Sequence, residues 1–326
     1  MSALLAAVLG AGLVLAQKNY APPPSQKPDE ATLKAIDAKM NKLGRVLGSL
    51  RKQGVRDPWM AEIEIYHKAA DWIVRHDEFY QPAAGQWTLD ALDRGLLRAS
   101  QAAQGEFPWV HQAEQPVVRA YRSRIDGSVQ PYAVTFPKDY GKDLRKRWRV
   151  DVVLHGRDTG LTEVKFLHEH SGDQPAAPPP FKQDFVRIDI FGRGNNAYRW
   201  AGESDVLEAI DAFLAVERAL GRDQLLDPAR VVLRGFSMGG AGTWHLGLHR
   251  PDRWCVLGPG AGFTATHGYV KNLPTLSPVE EACLHIYDAV DYAENAFNVP
   301  VVAYAGARDP QLQAARNIEE RLKAQD

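Results

Sequence analysis

At 326 residues, with 45% hydrophobic and 24% charged side chains, the chain has an ordinary globular composition and fits one large or two modest domains. Its net charge is −1, and no basic cluster carries interleaved aromatics, so nucleic-acid binding is disfavoured. The two cysteines, Cys255 and Cys283, either pair or stay as two buried free thiols; neither has the setting of a nucleophile.

Ala3 to Ala16 is apolar and too short to span a bilayer, with Val14 and Ala16 at the small-residue positions before a cleavage site. It reads as a signal peptide (residues 1–16), so the chain is expected to be secreted or periplasmic and, after cleavage, without a membrane span. An unprocessed N-terminal helix is the competing reading. Residues 17–30 form a linker, Pro-rich from Ala21 to Asp29. A helical region follows over 31–106. Leu33, Ile36, Met40, Leu43, Leu47 and Leu50 make one apolar stripe, and Trp59, Ile63, Tyr66, Ala70 and Ile73 a second. Leu89, Leu92, Leu96 and Ala99 make a third, with Thr88 as its expected N-cap.

From Val117 the period changes. Ile125-Asp126-Gly127-Ser128 predicts a hairpin turn between two strands. Lys142 to Arg149 reads as a solvated basic turn before a strand at Val150–Leu154. His168 and His170 read as a solvated loop, since no Cys or carboxylate spacing supports a metal, and Gln174 to Pro180 is a Pro-rich loop. Strands are expected at Phe185–Ile190, Val231–Leu233, Cys255–Leu257 and Pro300–Tyr304, and helices at Glu203–Leu220, Gly240–His249 and Gln311–Lys323. Asp227-Pro228 reads as a turn. This alternation behind an antiparallel hairpin predicts an α/β-hydrolase fold over 117–326, mostly parallel with flanking helices.

Gly235-Phe236-Ser237-Met238-Gly239-Gly240 reads G-x-S-x-G-G between strand and helix, the nucleophile elbow of that fold. A serine hydroxyl is a weak nucleophile until a base takes its proton, and the strained turn that projects it needs small neighbours. A Gly-rich strand–helix turn is the bland alternative. Asp309, just beyond a buried strand expected within Asn298 to Gly306, is the candidate acid; a helix N-cap is its competing role, and Asp288 and Asp291 are the runners-up. The oxyanion donors would be the backbone N–H of Met238 and one at Gly156 or Arg157, unless His155-Gly156 is merely a strand-ending turn. His155, His245, His249, His267 and His285 all precede Asp309, out of order for the base; His245 and His249 read as packed or surface residues. The stretch Gly262 to Leu276 is expected to form part of a substrate pocket, and Phe191–Arg199 to shape it. No cofactor or metal is required.

These motifs carry a resemblance across roughly 86–325. Tyr121 to Tyr132, with its D-G-S-x-Q-P-Y core, Leu154-His155-Gly156-Arg157, Gly192 to Asn196, Ala201 to Val206, the elbow and Pro259 to Gly262 are similar to those of exported bacterial α/β-hydrolases of the prolyl oligopeptidase-like serine peptidase family. The hairpin also resembles secreted feruloyl-esterase and polyester-depolymerase relatives. The resemblance implies acyl transfer on a peptide or ester, with Ser237 as nucleophile and Asp309 orienting the base. Relatives carry the catalytic His in a Gly-His segment one strand further on. No His follows Asp309 here, which implies a C-terminally truncated chain lacking that strand and its base. Two rivals stand beside the hydrolase: a non-catalytic binding protein of the same fold, and a helical interaction protein acting through 31–106.

Overall fold

The computed structural model describes residues 21–172, 182–270 and 273–325. The expected signal peptide and the Pro-rich loop at 174–180 lie outside them. No helix among the described residues is long and apolar enough to cross a membrane.

Three helices come first: α1 (Glu30–Lys52), α2 (Ala61–Arg75) and α3 (Ala84–Ala102). Asp29 caps α1, its carboxylate accepting from Thr32 N at 2.7 Å. The first stripe turns Ile36, Leu43, Leu47 and Leu50 inward, and α2 buries Ile63, Tyr66, Ala70 and Ile73 from the second. Gly95 of α3 lets the three meet: a methyl there would stand 2.7 Å from Leu43 and 2.8 Å from Tyr66. Thr88 is not the N-cap expected. The helix starts four residues earlier, and Thr88 is buried inside it, its hydroxyl donating to the Ala84 carbonyl at 2.7 Å.

The strands β1 (Val117–Arg122), β2 (Val129–Thr135), β3 (Trp148–Leu154), β4 (Phe185–Ile190), β5 (Leu226–Phe236) and β6 (Val256–Gly260) form one sheet in the order β1-β2-β4-β3-β5-β6. The Asp-Gly turn closes β1 against β2 with Arg122 facing Val129 and Gly127 at φ +70°. β2 is antiparallel to both neighbours; β4, β3, β5 and β6 run parallel. Five helices accompany the sheet: α4 (Glu163–Glu169), α5 (Ala201–Ala219), α6 (Met238–His249), α7 (Pro278–Leu284) and α8 (Gln313–Lys323). Hairpin first, then parallel strands with crossover helices: this is the α/β-hydrolase fold. Asp227-Pro228 is drawn into β5 rather than preceding it. The irregularity survives as a bulge, since Trp148 faces Leu226 but Val150 faces Val231.

Three further readings change. Asn298 to Gly306 is not a buried strand but an extended segment beside β6, bridged at Leu257–Val301 and Gly260–Tyr304. Among the described residues nothing covers its far side, so Val302 and Tyr304 stay 63% and 55% exposed. His168 and His170 are not in a solvated loop: His168 belongs to α4 and stacks on Trp87 at 4.5 Å, while His170 caps it and bonds the Phe166 carbonyl at 2.9 Å. Both cysteines are free thiols, and Cys283 is exposed because α7 buries none of its residues.

The helices join the sheet through a buried charge. Glu62 of α2 and Arg119 of β1 are fully buried and pair at 2.5 Å. Trp109 Nε1 donates to the other Glu62 oxygen at 2.7 Å, and Arg98 donates to the Glu62 backbone carbonyl at 3.1 Å. Removing one partner strands a charge without water. Arg119→Met is therefore expected to lower unfolding stability by about 3–5 kcal/mol, read as a fall in the urea midpoint. An unchanged midpoint would mean the pair contributes nothing.

Candidate functional site

Ser237 sits where β5 becomes α6, at φ +57° and ψ −117°, a conformation costly for a side-chain-bearing residue. Its N–H donates to the Gly260 carbonyl at 2.9 Å, which fixes the turn against β6. The turn is possible only because its neighbours lack side chains. A methyl on Gly239 would stand 2.1 Å from the Leu154 carbonyl oxygen, and one on Gly235 would stand 2.5 Å from the Gly239 oxygen. α6 therefore lies almost on β3, and its first residue, Met238, carries one of the backbone donors a helix start leaves free.

The loop leaving β3 meets Ser237 from the other side. A methyl on Gly156 would be 3.7 Å from Ser237 Cβ and 3.4 Å from the Phe236 carbonyl oxygen. The candidate oxyanion residues Met238 and Gly156 are thus brought together around Ser237, with Arg157 next in the loop. The loop is held by a residue that sequence reasoning missed. Tyr198 is fully buried; its hydroxyl accepts from His155 N at 2.6 Å and donates to the His155 carbonyl at 3.4 Å. The His155 ring nitrogens lie 3.0 Å from the Phe191 carbonyl oxygen and 2.8 Å from the Gly156 carbonyl oxygen, and the tautomer sets which of the two the single ring N–H of the neutral imidazole bonds.

Tyr198 lies in the strained connection after β4, where Arg193, Ala197, Tyr198 and Trp200 all take φ between +53° and +58°. Their support is visible. Arg193 bridges Asp126 at 2.6 Å and Asp205 at 3.0 Å, and holds the Asp126 carboxyl well below its usual range. Asn196 accepts from Tyr198 N and donates to the Gly192 carbonyl, both at 2.8 Å. Trp200 N donates to the Tyr287 hydroxyl at 2.8 Å. The only sequence signal was the pair of motifs flanking this loop.

Asp309 lines a cavity of about 450 Å³ together with Gly262, Phe263, His267 and Gln311. That cavity adjoins the elbow, since a methyl on Gly262 would stand 3.0 Å from the Ser237 carbonyl oxygen. The Asp309 carboxylate accepts from Gln311 N at 2.9 Å, the capping geometry. Of the runners-up, Asp288 is buried and accepts from Thr266 N at 2.9 Å, and Asp291 pairs with His285 at 2.5 Å. His267 pairs with Glu281 at 2.8 Å. Among the described residues, no histidine hydrogen-bonds Ser237 and no group of three or more His, Cys, Asp or Glu is placed to hold a metal.

No protein-family model and no curated protein sequence matches the chain. Solved structures do. A ferulic acid esterase matches at 15% identity and TM-score 0.43, over 64% of this chain and 86% of its own. The fluorophosphonate-binding serine hydrolase F of Staphylococcus aureus matches at 17% and 0.44, over 65% and 86%. The Pyrococcus horikoshii acylaminoacyl peptidase matches at 16% and 0.45, over 65% of this chain but 35% of its own. The fold assignment stands on the strand order and the elbow described above.

His245, on α6, is a packed residue as expected. It is 2% exposed, its Nε2 lies 3.2 Å from the Ala197 carbonyl oxygen, and burial, with smaller contributions from His249 and Arg199, pushes its pKa down to about 3. The unfolded chain therefore takes up a proton below pH 6.5 that the folded chain refuses until about pH 3. Stability is fully present above 6.5 and is lost as pH falls toward the folded value. His245→Leu is expected to flatten this acid slope, measured as urea midpoints across that window. A slope as steep as the parent's would show that His245 does not contribute to it.

Proposed function

We propose that the chain is a serine hydrolase acting by acyl transfer on a peptide or carboxylic ester bond, with Ser237 as nucleophile. The observation that carries the reading is the strained turn that lifts Ser237 between the start of α6 and the β3 loop. The Ser237 Oγ would bond the substrate carbonyl carbon while the carbonyl oxygen becomes an oxyanion. The Met238 N–H, with an N–H from Gly156 or Arg157, would receive that charge. The leaving group departs with a proton, and water then releases the acyl group from Ser237. The proton transfers need a base, and Asp309, lining the cavity beside the elbow, is proposed to orient it. The prolyl oligopeptidase-like peptidases are the family this reading favours, on the motifs around the elbow and hairpin; feruloyl-esterase-like hydrolysis is the alternative on the same residues.

Fluorophosphonate labelling tests this directly. The parent protein is expected to label at Ser237, and Ser237→Ala to lose both label and turnover, the latter by at least about a thousandfold. A protein that neither labels nor turns over esters or peptides would leave the binding-protein reading in its place. Matched ester and amide probes with one leaving group then separate esterase from peptidase.

Tyr198→Phe removes the hydroxyl that holds His155 while leaving the ring. Direct loss of an oxyanion donor costs about 10²–10³ in kcat, and a loosened loop should cost less. A fall of about tenfold in kcat at unchanged KM is expected; a change confined to KM would show that Tyr198 shapes binding instead.

A further inference from the structure

Gly156 and Arg157, the candidate oxyanion residues of the loop after β3, have their N–H directions set by their neighbours. A peptide unit is planar and trans, so its N–H points opposite to its C=O. The His155 carbonyl therefore fixes the direction of the Gly156 N–H, and the Gly156 carbonyl that of the Arg157 N–H. The first of these carbonyls accepts from the Tyr198 hydroxyl at 3.4 Å. The second lies 2.8 Å from His155 Nδ1, while His155 Nε2 lies 3.0 Å from the Phe191 carbonyl oxygen in the loop after β4. One imidazole thus faces the peptide unit that carries the Arg157 donor on one side and a second loop on the other.

Both partners of that ring are acceptors. A neutral imidazole has one N–H and one lone pair, so one contact must set a lone pair against a carbonyl oxygen. With the proton on Nε2, the Gly156 carbonyl is the one repelled, and its peptide unit is no longer held. With the proton on Nδ1, the link to Phe191 is lost. Only the imidazolium donates to both. The surroundings admit its charge. The ring is half-buried, within reach of water. Asp158, in the same loop, lies within electrostatic reach of His155 and is hydrogen-bonded to Lys165 of α4. Asp189 of β4 acts on the adjoining Tyr198; it pairs with Arg187 at 2.7 Å and lies 4.0 Å from His170. Arg157 is exposed, and the elbow presents only the uncharged Phe236, Ser237 and Met238.

We propose that His155 works as an imidazolium and is a positioning residue: with both ring nitrogens protonated it holds the Gly156 and Phe191 carbonyls together and so fixes the direction of the Arg157 N–H. Loss of one proton releases one of the two carbonyls, and the loop after β3 loosens. Its role in turnover rests on the reading of Ser237 as nucleophile; its protonation state does not. Histidines titrate between about pH 5 and 8, so the loop is tightened on the acid side of that window and relaxed on the alkaline side.

The test has two arms. In the first, proton–nitrogen correlation spectra of the full chain with isotope-labelled histidine rings are followed across that pH window, the His155 signals being assigned by their loss in His155→Gln. Both ring nitrogens of His155 are expected to be protonated at the acid end and one to lose its proton on the way to the alkaline end. A neutral ring already at the acid end would overturn the proposal. In the second, kcat on 4-nitrophenyl acetate is measured for the parent and for His155→Gln at each pH, with thermal melts confirming that the variant folds. Any other titrating base acts on both proteins alike, so it cancels in their ratio. The parent is expected to lead by about tenfold at the acid end, less than the 10²–10³ for outright loss of a donor, and to lose that lead as pH rises. A ratio that stays constant with pH would show that His155 is merely structural. If the parent turns over no ester or amide at all, the Ser237 reading fails by itself, and the ring spectra decide the state of His155 alone.

Discussion

The contact on which the site depends is the approach of α6 to β3. Gly239 lies so close to the Leu154 carbonyl that no side chain fits between them. That closeness sets three things at once. It forces Ser237 into a strained backbone conformation, brings the first N–H of α6 to the same face, and places Gly156 against the Ser237 Cβ. Gly240 and Gly262 extend the constraint to β6, where a methyl on Gly240 would stand 2.2 Å from the Gly260 carbonyl oxygen. The strain at Ser237 is sustained by neighbours packed on every side of the turn.

A second layer of constraint lies in the connection after β4. Here a run of residues at positive φ is held by side chains arriving from elsewhere: Asp126 from the hairpin, Asp205 from α5 and Tyr287 from the segment after α7. Tyr198 carries the effect to the β3 loop. The hairpin tip, whose D-G-S-x-Q-P-Y sequence carries part of the family resemblance, is therefore linked through Arg193 to the ground on which the loop after β3 stands.

The elements built from local rules were legible. The Asp-Gly turn, the helical stripes and the elbow all encode their structure within a few residues, and each appears close to where it was expected. What escaped was decided at long range. Thr88 resembled a cap, but packing of Gly95 on Leu43 and Tyr66 favours a helix long enough to bury Thr88. The apolar run at Val299–Tyr304 read as buried, yet burial depends on what lies on its far side, which the run cannot encode. His168 and His170 read as solvated because their partners, Trp87 and Phe166, come from a stripe and a helix not visibly related to them. Tyr198 had no motif at all: its role exists only because its hydroxyl reaches a strand end forty-three positions earlier in the chain.

The buried core runs from Ile36 in α1 to Ile318 in α8 as one cluster, and Glu62 with Arg119 lies at its joint. A helical layer attached in this way is not a lid. A lid opens by losing a modest, wetted interface, whereas this layer can leave only by exposing apolar surface and an ion pair that have no water. Heat should therefore unfold the helical layer and the sheet together, in one cooperative transition.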